Sequence, residues 1–180
     1  MRKINEFIFS YRGGRRMIIR KIEIKDSEKF LNMLKELDNE TTNMMFEPGE
    51  RKTTIEEMDS NIKNIHSSKS LRLVAEDKGD IIGFLSSERG FAKRIRHRAY
   101  IVIGILRDYR GKRIGVKLFE ELEKWALENN VTRLELTVME HNEGAIRLYE
   151  KMGFKKEGLK ENSLIVDRKY INEYYMGKII

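Results

Sequence analysis

The sequence predicts one α/β domain of the α+β kind: a mixed, mostly antiparallel central sheet with helices on both faces. Three observations predict it. Pairs of short apolar runs flank tight turns at Lys78-Gly79-Asp80 and at Asp167-Arg168-Lys169 and read as hairpins. One strand–helix–strand passage, Ala99 to Val138, reads as a right-handed crossover between parallel strands. Two amphipathic segments precede the first hairpin.

The elements follow in order. Met17 to Ile22 opens a first strand. Arg12-Gly-Gly-Arg-Arg before it reads as a flexible lead-in, with Met17 a candidate natural first residue. Residues 1–16 are therefore expected to be an extension outside the fold, and residues 17–180 the domain. Asp26 is placed to cap a helix that carries Phe30, Leu31, Leu34 and Leu37 at helical spacing. Asn39 to Lys52, with Pro48 and Gly49, reads as a loop. Thr53 or Thr54 caps a second helix with Ile55, Met58, Ile62 and Ile65 on one face. Leu71–Glu76 and Ile81–Ser87 form the first hairpin. Ala99–Leu106 is apolar enough for a central strand. Ile114–Leu127 is a helix with Leu118, Leu122, Trp125 and Ala126 inward. Leu134, Leu136 and Val138 alternate on a strand, Asn142–Met152 is a helix, and Phe154–Val166 with Tyr170–Ile179 closes the chain. The expected order is β-α-α-β-β-β-α-β-α-β-β, and no internal repeat interrupts it.

Composition narrows the function. At 180 residues and 40% hydrophobic, the chain supports a real core. Charged residues make up 36%, so the surface is heavily solvated; with one proline and no low-complexity tract, disorder is not expected. The absence of cysteine excludes disulfides, thiolate zinc sites and a cysteine nucleophile, and fits a reducing cytoplasm. His66, His97 and His141 lack metal-ligand spacing. No apolar run approaches the roughly 20 residues of a spanning helix, and residues 1–16 are too polar for a secretory signal. The net charge of +7 invites a nucleic-acid reading. Five basic residues against Glu6 alone place most of that excess in residues 1–16, however, and no aromatic-interleaved basic stripe follows.

Arg110-Gly-Lys-Arg-Ile-Gly115 stands between the apolar strand and the helix that begins at Ile114. The first amides of a helix lack partners within it, and the helix dipole adds partial positive charge there. A diphosphate satisfies both. Gly111 and Gly115 are expected to let the backbone approach the phosphates, while Arg110, Lys112 and Arg113 neutralise them. The pattern is neither a Walker motif nor a dinucleotide fingerprint. Read without more, it is equally a solvated basic helix start.

Tyr109-Arg110-Gly111-Lys112-Arg113-Ile114-Gly115 resembles the cofactor motif of the GNAT superfamily of N-acetyltransferases, Gln/Arg-x-x-Gly-x-Gly/Ala. Arg113 departs from it, standing where the family usually has the first glycine. The strongly helical residues that follow predict a helical backbone for Arg113, at little cost. A second stretch, Asn142-x-x-Ala145-Ile146-x-Leu148-Tyr149-x-Lys151-x-Gly153-Phe154, is similar to the second signature of the same superfamily. The resemblance covers Met17 to about Ile180. It implies a GNAT-like fold whose parallel strand pair is splayed. It implies acetyl-coenzyme A as co-substrate, with the arm of the cofactor bonded to the main chain of Ile103, Gly104 and Ile105, its diphosphate on Arg110 to Gly115, and Asn142 beside it.

The residues also carry plainer readings. Ala145, Ile146, Leu148 and Met152 read as core, Asn142 as an N-cap and Gly153 as a helix stop. Tyr149 alone reads as a half-buried aromatic. By the resemblance it is the general acid: a phenol of pKa about 10 stays protonated at neutral pH and gives its proton to the departing thiolate. The acceptor amine attacks the thioester directly.

Three sources for the base stay open. Thr137 stands where some relatives carry a glutamate. Glu135 shares its face, His97 begins the earlier strand, and a water relay is the third. The loop with Met44, Met45, Phe46, Glu47 and Arg51 and the strand with Tyr170, Tyr174 and Tyr175 are candidate acceptor walls. The acceptor is read as a small-molecule or protein amine, no more narrowly. The long apolar last strand makes a homodimer a candidate assembly. The alternative function is a non-catalytic module on the same fold that senses acyl-coenzyme A or binds RNA or the ribosome.

Overall fold

The computed structural model describes residues 7–11 and 15–180. Its centre is an eight-stranded sheet in the order β1-β2-β3-β4-β5-β6-β8-β7. The strands are β1 (Phe7–Tyr11), β2 (Arg15–Lys21), β3 (Leu71–Asp77), β4 (Asp80–Arg89), β5 (Arg98–Ile105), β6 (Arg133–Met139), β7 (Lys155–Val166) and β8 (Lys169–Ile179). The helices are α1 (Ser27–Glu40), α2 (Ile55–Ser67), α3 (Ile114–Glu128) and α4 (Glu143–Lys151). Every neighbouring pair of strands is antiparallel except β5 and β6. The mixed, mostly antiparallel architecture is as the sequence predicts.

Alternation along the strands builds two cores, one on each face. On one face, the α3 side, Ala99, Ile101, Leu134, Leu136 and Val138 pack under Leu118, Phe119 and Leu122 of α3 and Ile146 and Tyr149 of α4. On the other, the α1 side, Val74, Ile81 and Phe84 pack under Phe30, Leu34 and Leu37 of α1 and Met58 and Ile62 of α2.

Three local expectations need correction. Phe7–Tyr11, within the expected extension, belongs to the sheet. It pairs antiparallel with β2, from Phe7 opposite Ile19 to Tyr11 opposite Arg15, and Phe7 and Phe9 pack against the α3-side core. Its three apolar residues extend the sheet by one strand. Arg12 to Gly14, within the expected lead-in, lie outside the described residues.

Asp26 occupies the N-cap position of α1, but its side chain makes no cap bond to that helix. Its carboxylate instead accepts from both terminal nitrogens of the Arg20 guanidinium at 2.6 and 2.8 Å and from the Glu23 amide at 2.8 Å. A nearly buried carboxylate gains more from a guanidinium than from a helix amide. The expected cap of the second helix is Thr54: it accepts from Glu57 N, and Glu57 reaches back to the Thr54 amide.

Arg113 is the third. Its backbone is left-handed, with φ 64° and ψ 9°. It is the N-cap of α3, the last residue before the helix, and the chain reverses into the helix through it and Gly111, at φ 73°. Holding a side-chain-bearing residue there costs about 1–2 kcal/mol. This is where a glycine would sit without cost.

Candidate functional site

The site is built where the parallel strands part. β5 and β6 pair only through Arg98–Arg133, Ala99–Leu134 and Tyr100–Glu135. Beyond Tyr100 the two backbones separate, leaving the edge of Ile101–Ile105 open toward β6. The other edge of β5 is occupied. Leu106 donates its amide to Ile82 O of β4, which sets the bonded register. Gly104, opposite Phe84, and Val102, opposite Ser86, therefore exchange their main-chain bonds with β4. The main-chain groups of Ile101, Ile103 and Ile105 face the gap.

Of the three residues expected to line the gap with backbone, then, Ile103 and Ile105 do so and Gly104 does not. Gly104 has another use. A Cβ there would drive into Leu37 of α1 and stand 2.8 Å from Phe84 Cε1, so its bare backbone lets α1 lie on the sheet beside the opening.

The turn after β5 carries the predicted anion site. α2 and α4 receive side-chain caps from Thr54 and Asn142, whereas α3 begins at Arg113 with no side-chain cap. Its first amides stay available to a ligand. The basic side chains differ in their commitments. Arg110 Nε donates to Ile105 O at 2.9 Å, and its guanidinium lies 3.9 Å from the Glu40 carboxylate. The same Glu40 accepts the Arg107 amide at 2.6 Å, and its own carbonyl accepts from the Arg107 guanidinium. Glu40 thereby ties the end of α1 to the turn. Lys112 lies over the Tyr109 ring at 4.7 Å. Arg113 is exposed and Ile114 is buried. Gly111 is in open space, while a Cβ on Gly115 would stand 2.8 Å from Leu148 Cδ2. Gly115 thus serves the close approach of α3 to α4.

α4 carries Tyr149 on the α3 side of the sheet, within electrostatic reach of Tyr100. Asn142 Oδ1 accepts the Ala145 amide at 3.3 Å, which starts the helix and leaves Nδ2 to donate elsewhere. Gly153, at φ 87°, ends it as expected. The Tyr149 ring is clamped by Phe119, with centroids 5.9 Å apart, and by Phe154 at 6.1 Å. The residue is 7% exposed, more buried than its sequence suggests. Burial pushes its pKa well above the ordinary phenol value, and the nearby Tyr100 adds to the rise. The phenol therefore stays protonated throughout the neutral range. Its hydroxyl has no hydrogen-bond partner among the described residues. It is also not sealed in: Ser87 Oγ is the one fully buried, unpartnered side-chain polar atom among them.

The α1 side of the opening contains a residue that sequence reasoning passed over. Tyr100 donates to or accepts from Thr137 Oγ1 across the parted strands at 2.8 Å. The one available signal was its place on the polar face of a strand without carboxylates. Two candidate bases are compromised by their surroundings. Glu135 is held between Arg98 at 3.1 Å and Arg133 at 3.0 Å. His97 is exposed and precedes the paired end of β5, away from the opening. Tyr175, next to Thr137 on β8, faces the same side, Tyr174 packs toward the α3-side core, and Tyr170 is exposed near the hairpin tip.

The loop between α1 and α2 is anchored by Arg51, whose guanidinium makes a bidentate pair with buried Asp38 at 2.6 and 2.9 Å and stacks on Phe46. A cleft of about 510 Å³ lies beside that anchor, lined by Lys35, Asp38, Asn39, Gly49, Arg51, Lys52 and Thr53. No lining residue belongs to β5, β6 or α4, so it is separate from the opening between the strands. No helix among the described residues is long and apolar enough to cross a membrane.

Comparison with known proteins agrees with this arrangement. A model of the acetyltransferase (GNAT) family matches residues 31–154. The chain belongs to this family. The GNAT chain is 32% identical to the L-amino acid N-acetyltransferase AaaT of Escherichia coli, over 60% of its own length and 67% of that protein's. Its fold is similar to that of a GNAT-family acetyltransferase from Streptococcus pneumoniae, with a TM-score of 0.88 and 32% identity over 91% of this chain and 99% of that one. A GNAT superfamily phosphinothricin acetyltransferase from Sinorhizobium meliloti, solved in complex with AcCoA, shares the fold at a TM-score of 0.80 and 19% identity, over 91% and 88% of the two chains.

Proposed function

We propose that this protein moves an acetyl group from acetyl-coenzyme A to a primary amine by direct attack, with Tyr149 as the general acid. The observation that carries the reading is the Tyr149 hydroxyl, protonated, unpartnered and within electrostatic reach of Tyr100, where the pairing of β5 with β6 ends. Family membership supports acyl transfer. The L-amino acid N-acetyltransferase among the relatives supports an amine acceptor, and the AcCoA complex of the Sinorhizobium protein supports the co-substrate.

Acetyl-coenzyme A supplies the acyl group as a thioester. The residues divide the remaining work. The amides from Gly111 to Gly115, in the turn and at the start of α3, and the basic groups of Arg110, Lys112 and Arg113 hold the diphosphate. The main-chain groups of Ile103 and Ile105, flanked by Gly104, pair with the arm, and Asn142 Nδ2 donates beside it. Tyr149 gives its proton to sulfur as the carbon–sulfur bond breaks and the carbon–nitrogen bond forms. The cysteine-free sequence supports action in a reducing cytoplasm.

The test is thiol release from acetyl-coenzyme A by the whole chain with a panel of amines: amino acids, a peptide with a free N-terminus, a polyamine and an aminoglycoside. Amine-dependent release with one class is the expected result. Tight cofactor binding without release for any amine refutes the reading.

A further inference from the structure

Acetyl transfer to an amine requires a nitrogen with a free lone pair at the thioester, and the inference about the acceptor rests on that proposed reaction. No free carboxylate or imidazole among the predicted bases stands at the opening, since Glu135 is held by two arginines and His97 lies beyond the paired end of β5. What stands there is a pair of hydroxyls. Main-chain pairing ends at Tyr100–Glu135, and Thr137 lies two residues farther along β6. The Tyr100–Thr137 bond of 2.8 Å therefore crosses the gap just where the backbone ceases to. Tyr100 is 38% exposed and open to a ligand. The two hydroxyls use one proton between them, which leaves one O–H and several lone pairs for a ligand.

We propose that the Tyr100–Thr137 pair is the acceptor-binding group and that the acceptor enters as the free amine, already deprotonated in solution. A free amine donates an N–H to a hydroxyl oxygen and keeps its lone pair for the carbonyl carbon. An ammonium ion has no lone pair to give, and two neutral hydroxyls offer it no counter-charge. The atoms balance: nitrogen bonds to carbon as sulfur leaves, sulfur takes the Tyr149 proton, the surplus nitrogen proton passes to water, and water restores Tyr149. The substrate class is set by acidity. At pH 7 about a tenth of an α-amino group, with pKa about 7.7–8.0, is free, against under about one in a thousand of an alkylamine with pKa about 10.4. The geometry favours α-amines.

Among the described residues, the carboxylates around the pair are held by cations, except Glu88, which stands on the far side of β5 from the gap. On β4, Glu88 lies directly across from Tyr100, on the side away from the gap and in the field of Arg72. On β6, Glu135 is paired with Arg98 and Arg133, and Glu157 of β7 is also bonded to Arg133. On β8, Glu173 lies 3.7 Å from Lys160. α4 contributes the protonated Tyr149, and α1 packs Leu37 against β5 farther along, at Gly104.

The experiment measures kcat/KM against pH for two acceptors, a glycyl peptide and an alkylamine, with the wild type, Tyr100→Phe, Thr137→Val and Thr137→Ser. In the wild type the rising limb should follow each acceptor's own pKa, so the two midpoints differ by about two and a half units. Tyr100→Phe and Thr137→Val should each raise acceptor KM about tenfold, with acetyl-coenzyme A affinity by calorimetry within about twofold of wild type, and Thr137→Ser should restore most of the loss. Because the two positions lie on opposite sides of the gap, one variant that fails to fold leaves the other to decide. A limb at one pH for both acceptors, unchanged acceptor KM, or a loss falling on acetyl-coenzyme A overturns the acceptor assignment alone. Absence of wild-type thiol release with every amine overturns the acetyl-transfer reading, and the acceptor assignment with it.

Discussion

Gly104 of β5 and Leu37 of α1 leave no room between them for a methyl group: a Cβ on Gly104 would overlap Leu37 Cδ2 and stand 2.8 Å from Phe84 Cε1. The contact seats α1 against the strand whose free edge lines the opening. Gly104→Ala therefore overpacks the α1-side core. It should lower stability by about 1–3 kcal/mol despite the better strand propensity of alanine, read as a lower denaturant midpoint with unchanged slope. Because the displaced helix ends at Glu40, which holds the Arg107 amide, acetyl-coenzyme A affinity should fall as well.

Tyr149→Phe separates chemistry from binding. Without its phenol proton the departing sulfur has no acid, so kcat should drop about 100-fold, with cofactor affinity by calorimetry nearly unchanged. Large loss of binding at unchanged turnover would contradict the role. The same variant tests the pKa. Burial raises the phenol's pKa above its unfolded value of about 10. Above that pH the unfolded chain releases a proton that the folded one keeps, so wild-type stability falls as pH rises. Stability measured from pH 9 to 11 should decline less steeply in Tyr149→Phe.

Much of this was legible in the sequence, and the exceptions share a cause. Periodic elements such as α3, with Leu118, Leu122, Trp125 and Ala126 buried, are written in spacing that the chain cannot satisfy otherwise. Gly153 and Thr54 act as the local capping rules predict. Phe7–Tyr11 was obscured by the basic, glycine-bearing sequence that follows it and by its place at the sheet edge. The roles of Gly104, Gly115 and Glu135 are set by Leu37, Leu148 and Arg98, residues distant in sequence or on a neighbouring strand. Tyr100 acquires meaning only through Thr137 across the parted strands. Spacing along one element carries no information about such meetings.

Arg113 gives a paired prediction. Its φ of 64° is left-handed, which costs arginine and alanine alike but not glycine. Arg113→Ala should therefore leave stability nearly unchanged, and Arg113→Gly should exceed it by roughly 1 kcal/mol, reduced by the greater freedom of unfolded glycine. Thermal midpoints of the three proteins check the order. Both variants lose a positive charge at the proposed diphosphate site, so the salt dependence of acetyl-coenzyme A affinity should weaken in each.

Acid stability turns on Asp26. Burial alone would push its carboxyl pKa up, but the Arg20 guanidinium and the Glu23 amide outweigh burial and hold it below the usual carboxylate range. A group whose pKa is lower folded than unfolded stabilises the fold above the unfolded value, about 3.9, and that contribution fades as pH falls through the folded one. Asp26→Asn keeps the shape but not the charge. It should lower stability by about 2 kcal/mol at pH 7, since Arg20 retains Glu76 at 2.8 Å. The difference from wild type should shrink below about pH 4, as the wild-type carboxyl takes up its proton. Urea unfolding at pH 7 and pH 3 measures both values. An equal difference at the two would mean that the Asp26 charge contributes nothing and that the asparagine acts only through its shape.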